Sequence, residues 1–220
     1  MLALKSFLNL LTMNFDQKAK DWDKDPQRVE RARVFANEII KFLGDRKPEN
    51  AMEFGSGTGL VSFWLKDNFK SITLADNSAG MMEVLNEKIK KENISNMKPL
   101  LLDIFMGKPD LSDFDIIYTL LTLHHIKDID KTFAIFNSML SPGGYVCIGD
   151  LVTEDGSFHH KDPEFDGHKG FDPVNMKNLI SKNGFKIEVN KTFFVIEKEY
   201  HNALKKYPMF IIIAKKVIKN

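Results

Sequence analysis

The sequence predicts an α/β domain, a three-layer sandwich around a seven-stranded, mostly parallel sheet with an antiparallel last strand. Three observations lead there. Apolar runs of strand length alternate with helix-period segments between residues 27 and 149, as expected of strand-crossover-strand units whose helices cover both sheet faces. A glycine-rich turn, residues 55–59, leaves the first of those strands and opens a helix. Two strand-like segments, 185–197 and 208–215, follow a last helix with only a short break between them, and a hairpin with an antiparallel edge is the economical reading.

Each element has its own signal. Residues 27–43 set Val29, Val34, Phe35, Ile39, Phe42 and Leu43 near one helical face, and Gly44 stops the pattern. The first strand is 50–54, with a helix over 58–67 and a second strand at 71–75. Ser78 is placed to cap a helix carrying Met81, Met82, Leu85 and Ile89. A third strand follows at 97–102, and a fourth at 114–120 is apolar on both faces. The helix over 129–140 should end at Ser141, Pro142, Gly143 and Gly144, before a fifth strand at 145–149. Residues 153–172 are polar, histidine-rich and without either period. They read as a long loop of the kind that serves as a lid or binding loop. A helix at 173–183 precedes the hairpin.

Composition bounds the chemistry. The chain of 220 residues is 43% hydrophobic, ample for one core. Its 31 Lys and Arg nearly cancel 30 Asp and Glu, so there is no strong nucleic-acid signal. No run reaches the roughly 18 apolar residues of a membrane span. The lone Cys147 sits in an apolar strand and excludes an internal disulfide and a cysteine-based zinc site, which fits a reducing, cytoplasmic setting. Residues 1–13 resemble the front of a signal peptide but lack a small-residue cleavage site. They read as an appended amphipathic helix or as residues before an alternative start at Met13. The division expected is an N-terminal extension and covering segment, 1–26, and a single domain, 27–220. Nothing in the pattern sets an oligomeric state.

The glycine turn carries the first functional signal. In a parallel sheet the ligand lies beyond the carboxyl ends of the strands, where the winding direction switches, and the end of the first strand is that point. Glycines let the backbone come close to a ligand there. Asp76 closes the second strand about twenty residues on, where an acid can accept from two ribose hydroxyls, and Asp103 closes the third, where an adenine edge would lie. Dinucleotide-binding folds share that acid spacing. The glycines, however, run G-x-G-x-G rather than G-x-G-x-x-G, and Glu53 stands two residues before the first. A carboxylate there is awkward for a pyrophosphate and suits an ammonium group.

The segments EFGSGTG, ADNSAGMMEVL, LLDI, FDIIYTLLTLHHI and LSPGGYVCIGDL, in this order over about residues 50–151, resemble the class I S-adenosylmethionine-dependent methyltransferase family. The terminal hairpin is similar to that family's reversed last strand in its doubly wound, Rossmann-like sheet. The resemblance implies S-adenosyl-L-methionine as cofactor. It implies that Glu53, Gly55, Ser56 and Gly57 line the methionine part. Asp76 would hold the ribose with Asn77 beside it, Met81 or Met82 would touch the adenine, and Asp103 and Ile104 would meet its amino group and face. Thr119 and Leu120 would end the fourth strand beneath the sulfonium. Residues 15–23 are similar to an entry segment that folds over the cofactor in this family, with Trp22 as the covering residue.

Methyl transfer from a sulfonium needs alignment first and a base only where the nucleophile must lose a proton. His124 and His125 follow the fourth strand at the edge where the methyl group would sit, and Asp150 ends the fifth strand on the same edge. These three are the catalytic candidates, beside the plainer reading of His124 and His125 as the start of the next connection. His159, His160 and His168 share the loop with several acids, but their spacing fits no standard zinc pattern, and no metal site is expected. The long loop and the lack of a basic tract favour a small-molecule acceptor. The alternatives are methylation of RNA or protein, and a cofactor-binding protein without turnover. A nicotinamide oxidoreductase fails on the glycine spacing and the reversed last strand.

Overall fold

The computed structural model describes residues 15–106 and 111–218; the amphipathic helix expected over 1–13 lies outside them. Seven strands, β1 (Asn50–Phe54), β2 (Ser71–Asp76), β3 (Met97–Leu101), β4 (Phe114–Leu120), β5 (Leu140–Leu151), β6 (Phe185–Tyr200) and β7 (Ala203–Lys216), form one sheet in the order β3-β2-β1-β4-β5-β7-β6. The first five are parallel, and β7 runs antiparallel to both β5 and β6. The helices are α1 (Pro26–Leu43), α2 (Leu60–Leu65), α3 (Ala79–Lys91), α4 (Ile129–Met139) and α5 (Pro173–Lys182).

The pleat sorts side chains into two cores. Ile116 and Tyr118 of β4, Cys147 of β5 and Ile211 and Ile213 of β7 pack with α1, α2 and α3. Ile117, Val146, Ile148, Phe210 and Ile212 pack with α4 and α5. Successive strand residues point to opposite faces, and burial on both faces is what makes these strands continuous apolar runs. Helix starts follow side-chain chemistry. Asp25, Ser78, Asp128 and Asp172 each accept a backbone N–H at the start of α1, α3, α4 and α5.

Three details depart from expectation. β3 stops at Leu101, so Asp103 does not close it; the Asp103 Oδ1 accepts from Phe105 N at 2.8 Å in the turn beyond. β5 begins at Leu140, where a helix end and turn were expected. Leu140 is buried beside α4, pairs with Phe114, and the register shifts before Tyr145 resumes the ladder. The hairpin has no break over 198–207. His201 and Asn202, with φ of 50° and 58°, make its two-residue turn, and left-handed backbone at both positions matches the strand twist. Beyond Leu151, where β5 stops pairing with β7, β6 and β7 continue as a two-stranded arm.

Candidate functional site

β1 lies between β2 and β4, and the chain winds outward in opposite directions on either side of it, so the switch point is the end of β1. The turn that leaves it has Gly55, Gly57 and Gly59 at φ of +69°, +52° and +82°. A Cβ on Gly55 would stand 2.2 Å from the Thr122 side chain, so only glycine lets the turn touch the chain leaving β4. Gly55 N and Ser56 N donate to Ala75 O at 2.8 and 3.1 Å, which ties the turn to the end of β2.

Asp76 is the hub of this half. Its Oδ2 accepts from Gly57 N at 2.7 Å and its Oδ1 from Ser78 N at 2.9 Å. Each oxygen keeps lone pairs for a further donor. Burial raises its pKa, against the backbone hydrogen bonds that lower it. Asn77 beside it is exposed. Met81 is buried on α3, and its Sδ would stand 3.8 Å from a Cβ on Gly57. Ile104 packs in the core with Phe54 and Ala75.

Glu53 is buried, and its carboxylate is drawn into α2. Ser62 N donates to Oε2 at 3.1 Å, the Ser62 hydroxyl makes a short bond to the same oxygen, and Tyr118 OH lies 2.6 Å from Ser62 Oγ. Burial outweighs these bonds and pushes the Glu53 carboxyl up to about 8.

Residues 15–24 lie across this edge. Asp16 Oδ1 accepts from Ser78 Oγ at 2.5 Å and Gly80 N at 2.8 Å, so it caps α3 together with Ser78. Asp23 accepts from Thr58 Oγ1 at 2.5 Å and from Lys88 Nζ at 2.6 Å. Trp22 Nε1 would stand 4.0 Å from a Cβ on Gly57, and the Arg28 guanidinium sits 3.9 Å from the Trp22 ring centroid. Phe15 meets Trp22 at 5.8 Å and His125 at 5.3 Å between ring centroids. Sequence reasoning named Trp22 and missed Asp16 and Asp23, whose partners lie 62 and 35 residues away.

Two polar atoms here fit a ligand. Ser56 Oγ on the glycine turn and Thr119 Oγ1 near the end of β4 are buried without a hydrogen-bond partner among the described residues, and such groups are rare unless something else satisfies them. Together with the left-handed turn and the unused lone pairs of Asp76, this donor set suits a nucleoside bearing a polar amino-acid tail. Leu120 ends β4, and the chain leaves through Leu121 at φ +54°, whose N–H donates to Gly149 O at 2.8 Å. A left-handed leucine is strained, and such backbone clusters at functional sites.

The other half of the edge gathers histidines. His124 and Asp150 are both buried; Nδ1 donates to Asp150 Oδ1 at 2.7 Å, and Leu151 N reaches the same oxygen at 2.8 Å. The loop brings His159 to this pair, 5.2 Å from His124 and 5.4 Å from His125 between ring centroids. Phe165 stacks on His159 at 3.7 Å and 9°. Burial is the first cause that holds His125 well below the usual histidine range and His159 down to about 3, with neighbouring His124 second. Both rings are therefore neutral at pH 7. His160 faces the other way, with Nδ1 on Ser157 O and its ring 5.1 Å from Tyr200.

The loop is seated by backbone and by the arm. His168 N donates to His124 O at 2.7 Å, and a Cβ on Gly167 would stand 2.2 Å from that oxygen. Tyr207 OH meets Ser157 Oγ at 2.8 Å, Lys198 donates to Phe158 O at 2.8 Å, and Lys205 pairs with Asp155 at 2.5 Å.

Known proteins share this architecture. A family model described as a methyltransferase domain matches residues 28–189. An uncharacterized methyltransferase of Schizosaccharomyces pombe is 32% identical over 143 residues, 59% of this chain and 50% of the relative. Phosphoethanolamine N-methyltransferase 2 of Caenorhabditis elegans is 27% identical over 152 residues, 67% of this chain and 35% of the relative. The chain thus matches half the length of the first and about a third of the second. A Haemonchus contortus phosphoethanolamine N-methyltransferase 2, solved with phosphomonomethylethanolamine and S-adenosylhomocysteine, superposes with a TM-score of 0.67 at 19% identity, over 83% of this chain and 52% of that one. No helix among the described residues is long and apolar enough to cross a membrane.

Proposed function

The chain belongs to the class I S-adenosylmethionine-dependent methyltransferase family, and we propose that it methylates a small molecule held between the glycine-turn edge and the 153–172 loop. The observation that carries this reading is the cover over the histidine half. The loop is pinned to His124 by the His168 N–H bond to its carbonyl and packed with Phe158, His159 and Phe165, a cover that favours a compact acceptor over a polymer. The nematode relatives whose names specify phosphoethanolamine fit the same class.

S-adenosylmethionine, when bound, supplies an electrophilic methyl group on a sulfonium. Gly55, Ser56 and Gly57 would receive its amino-acid tail, with Ser56 Oγ and Thr119 Oγ1 as available polar contacts. Asp76 would accept from the ribose hydroxyls, and Trp22 and Met81 would close over the turn. Glu53 holds the turn from beneath through Ser62. Alignment lowers a displacement barrier by several kcal/mol without acid or base. His124, oriented by Asp150, and His125 beside it would line the side from which the acceptor approaches. The reducing setting suggested by buried, unpaired Cys147 makes a cytoplasmic metabolite the natural acceptor class.

The test is S-adenosylhomocysteine release from S-adenosylmethionine with a panel of small amines, phenols, thiols and phosphorylated amino alcohols, set against bulk transfer RNA and denatured protein. Turnover on a small acceptor with none on the polymers is expected. Turnover confined to RNA or protein would overturn the small-molecule assignment.

A further inference from the structure

The ligand nitrogens of His124, His125 and His159 all lie within 4.8 Å of one another, although two come from the turn after β4 and the third from a loop 34 residues on. We propose that these three imidazoles form a binding site for a first-row divalent transition-metal ion, zinc foremost, that clamps the 153–172 loop to the carboxyl edge of the sheet. Three features carry the proposal together. His125 Nδ1 and His159 Nε2 are buried and have no hydrogen-bond partner among the described residues, a cost that native structures avoid unless a ligand is accommodated. Asp150 takes His124 Nδ1 at 2.7 Å, which fixes that ring and leaves Nε2 as the nitrogen it can offer, the carboxylate-histidine support typical of metal-bound imidazole. His159 is held by the stack on Phe165 and by the loop's backbone bond to His124, so the three rings are gathered at one place before the ion draws them together.

The donor set decides the class of ion. Three neutral nitrogens suit zinc, cobalt or nickel, whereas calcium and magnesium take oxygen ligands. Lys18 and Lys198 also act through space on these histidines, so the site attracts by ligation rather than by a negative field. Zinc–nitrogen bonds of about 2.0–2.1 Å put tetrahedral ligands about 3.4 Å apart, which requires the rings to close by roughly an ångström. Three protein ligands leave a fourth position open, as in sites that are not purely structural. The sequence concealed the site because its spacing, two adjacent histidines and one far off, is no short zinc motif.

The experiment uses the untagged full chain, stripped with chelator, and titrates it with zinc against a chromophoric competitor and, separately, with cobalt(II). One zinc per chain is expected, and the cobalt form should show the visible d–d bands of a four-coordinate site. His125→Ala and His159→Ala should each weaken zinc binding by more than the roughly 10–100-fold expected of Asp150→Asn. His160→Ala, whose ring is engaged elsewhere, should bind as the wild type does. Absence of stoichiometric zinc binding, or wild-type affinity in His159→Ala, overturns the proposal. His159 is on a surface loop, so that variant decides the matter even where His125→Ala fails to fold. No cofactor or acceptor enters the titration, so its outcome is independent of the proposed methyl transfer.

Discussion

Around β1, β2 and β3 the carboxyl edge is tied largely through backbone N–H groups, as where Gly57 N and Ser78 N donate to Asp76 and Gly80 N to Asp16. Around β4 and β5 side chains meet side chains, with His124 on Asp150, His159 beside His124 and His125, and Ser157 on Tyr207. The first half is a rigid backbone cradle in which substitutions act on the fold and the cofactor together. The second is a side-chain assembly laid over that cradle, whose substitutions should act on the acceptor.

The sharpest break would come at the cradle. Gly55→Val combines a left-handed φ with a Cβ driven into Thr122, which should cost about 3 kcal/mol or more. Urea denaturation should show a lower midpoint with an unchanged slope.

Glu53 offers a second large effect. Its carboxyl titrates at about 8 in the fold against 4.5 as the ordinary value. A raised folded-state pKa means that the folded state holds the proton more tightly, so this contribution is complete below pH 4.5 and is lost as pH rises to about 8. Glu53→Gln should flatten the fall in melting temperature between pH 5 and 8 and be the more stable protein at pH 8. A fall of the same size in the variant would remove Glu53 as its source.

Phe165→Ala probes the other half at lower cost. Loss of the stacked ring should remove about 0.5–1.5 kcal/mol of pair energy. It should raise the acceptor KM several-fold while leaving that for S-adenosylmethionine unchanged. Equal rises in both would mean that the halves are not separable.

The same division governs what the residues disclosed before the fold was known. The turn at Gly55–Gly59, the strand runs and the Ser78 cap are local chemistry, and each was legible. So was the reversed last strand. The arm beyond Leu151 was hidden because charged residues, Glu197, Lys198, Lys205 and Lys206, interrupt the apolar pattern where the strands pair only with each other. The 129–140 helix ends within a residue of its expected place, but the start of β5 was placed late, because Pro142 and Gly143 signal a turn while the buried Leu140 already pairs with Phe114. Asp16, Asp23 and the approach of His159 depend on tertiary packing, which no spacing rule reports.

The central claim is that the glycine-turn half binds the cofactor independently of the histidine half. Titration calorimetry of S-adenosylhomocysteine on the wild type, Asp76→Ala and Phe165→Ala tests it directly. The account predicts one equivalent bound by the wild type, affinity lower by about 10–100-fold in Asp76→Ala from the loss of charge-assisted hydrogen bonds, and unchanged affinity in Phe165→Ala. No binding by the wild type, or equal affinity in Asp76→Ala, would contradict it.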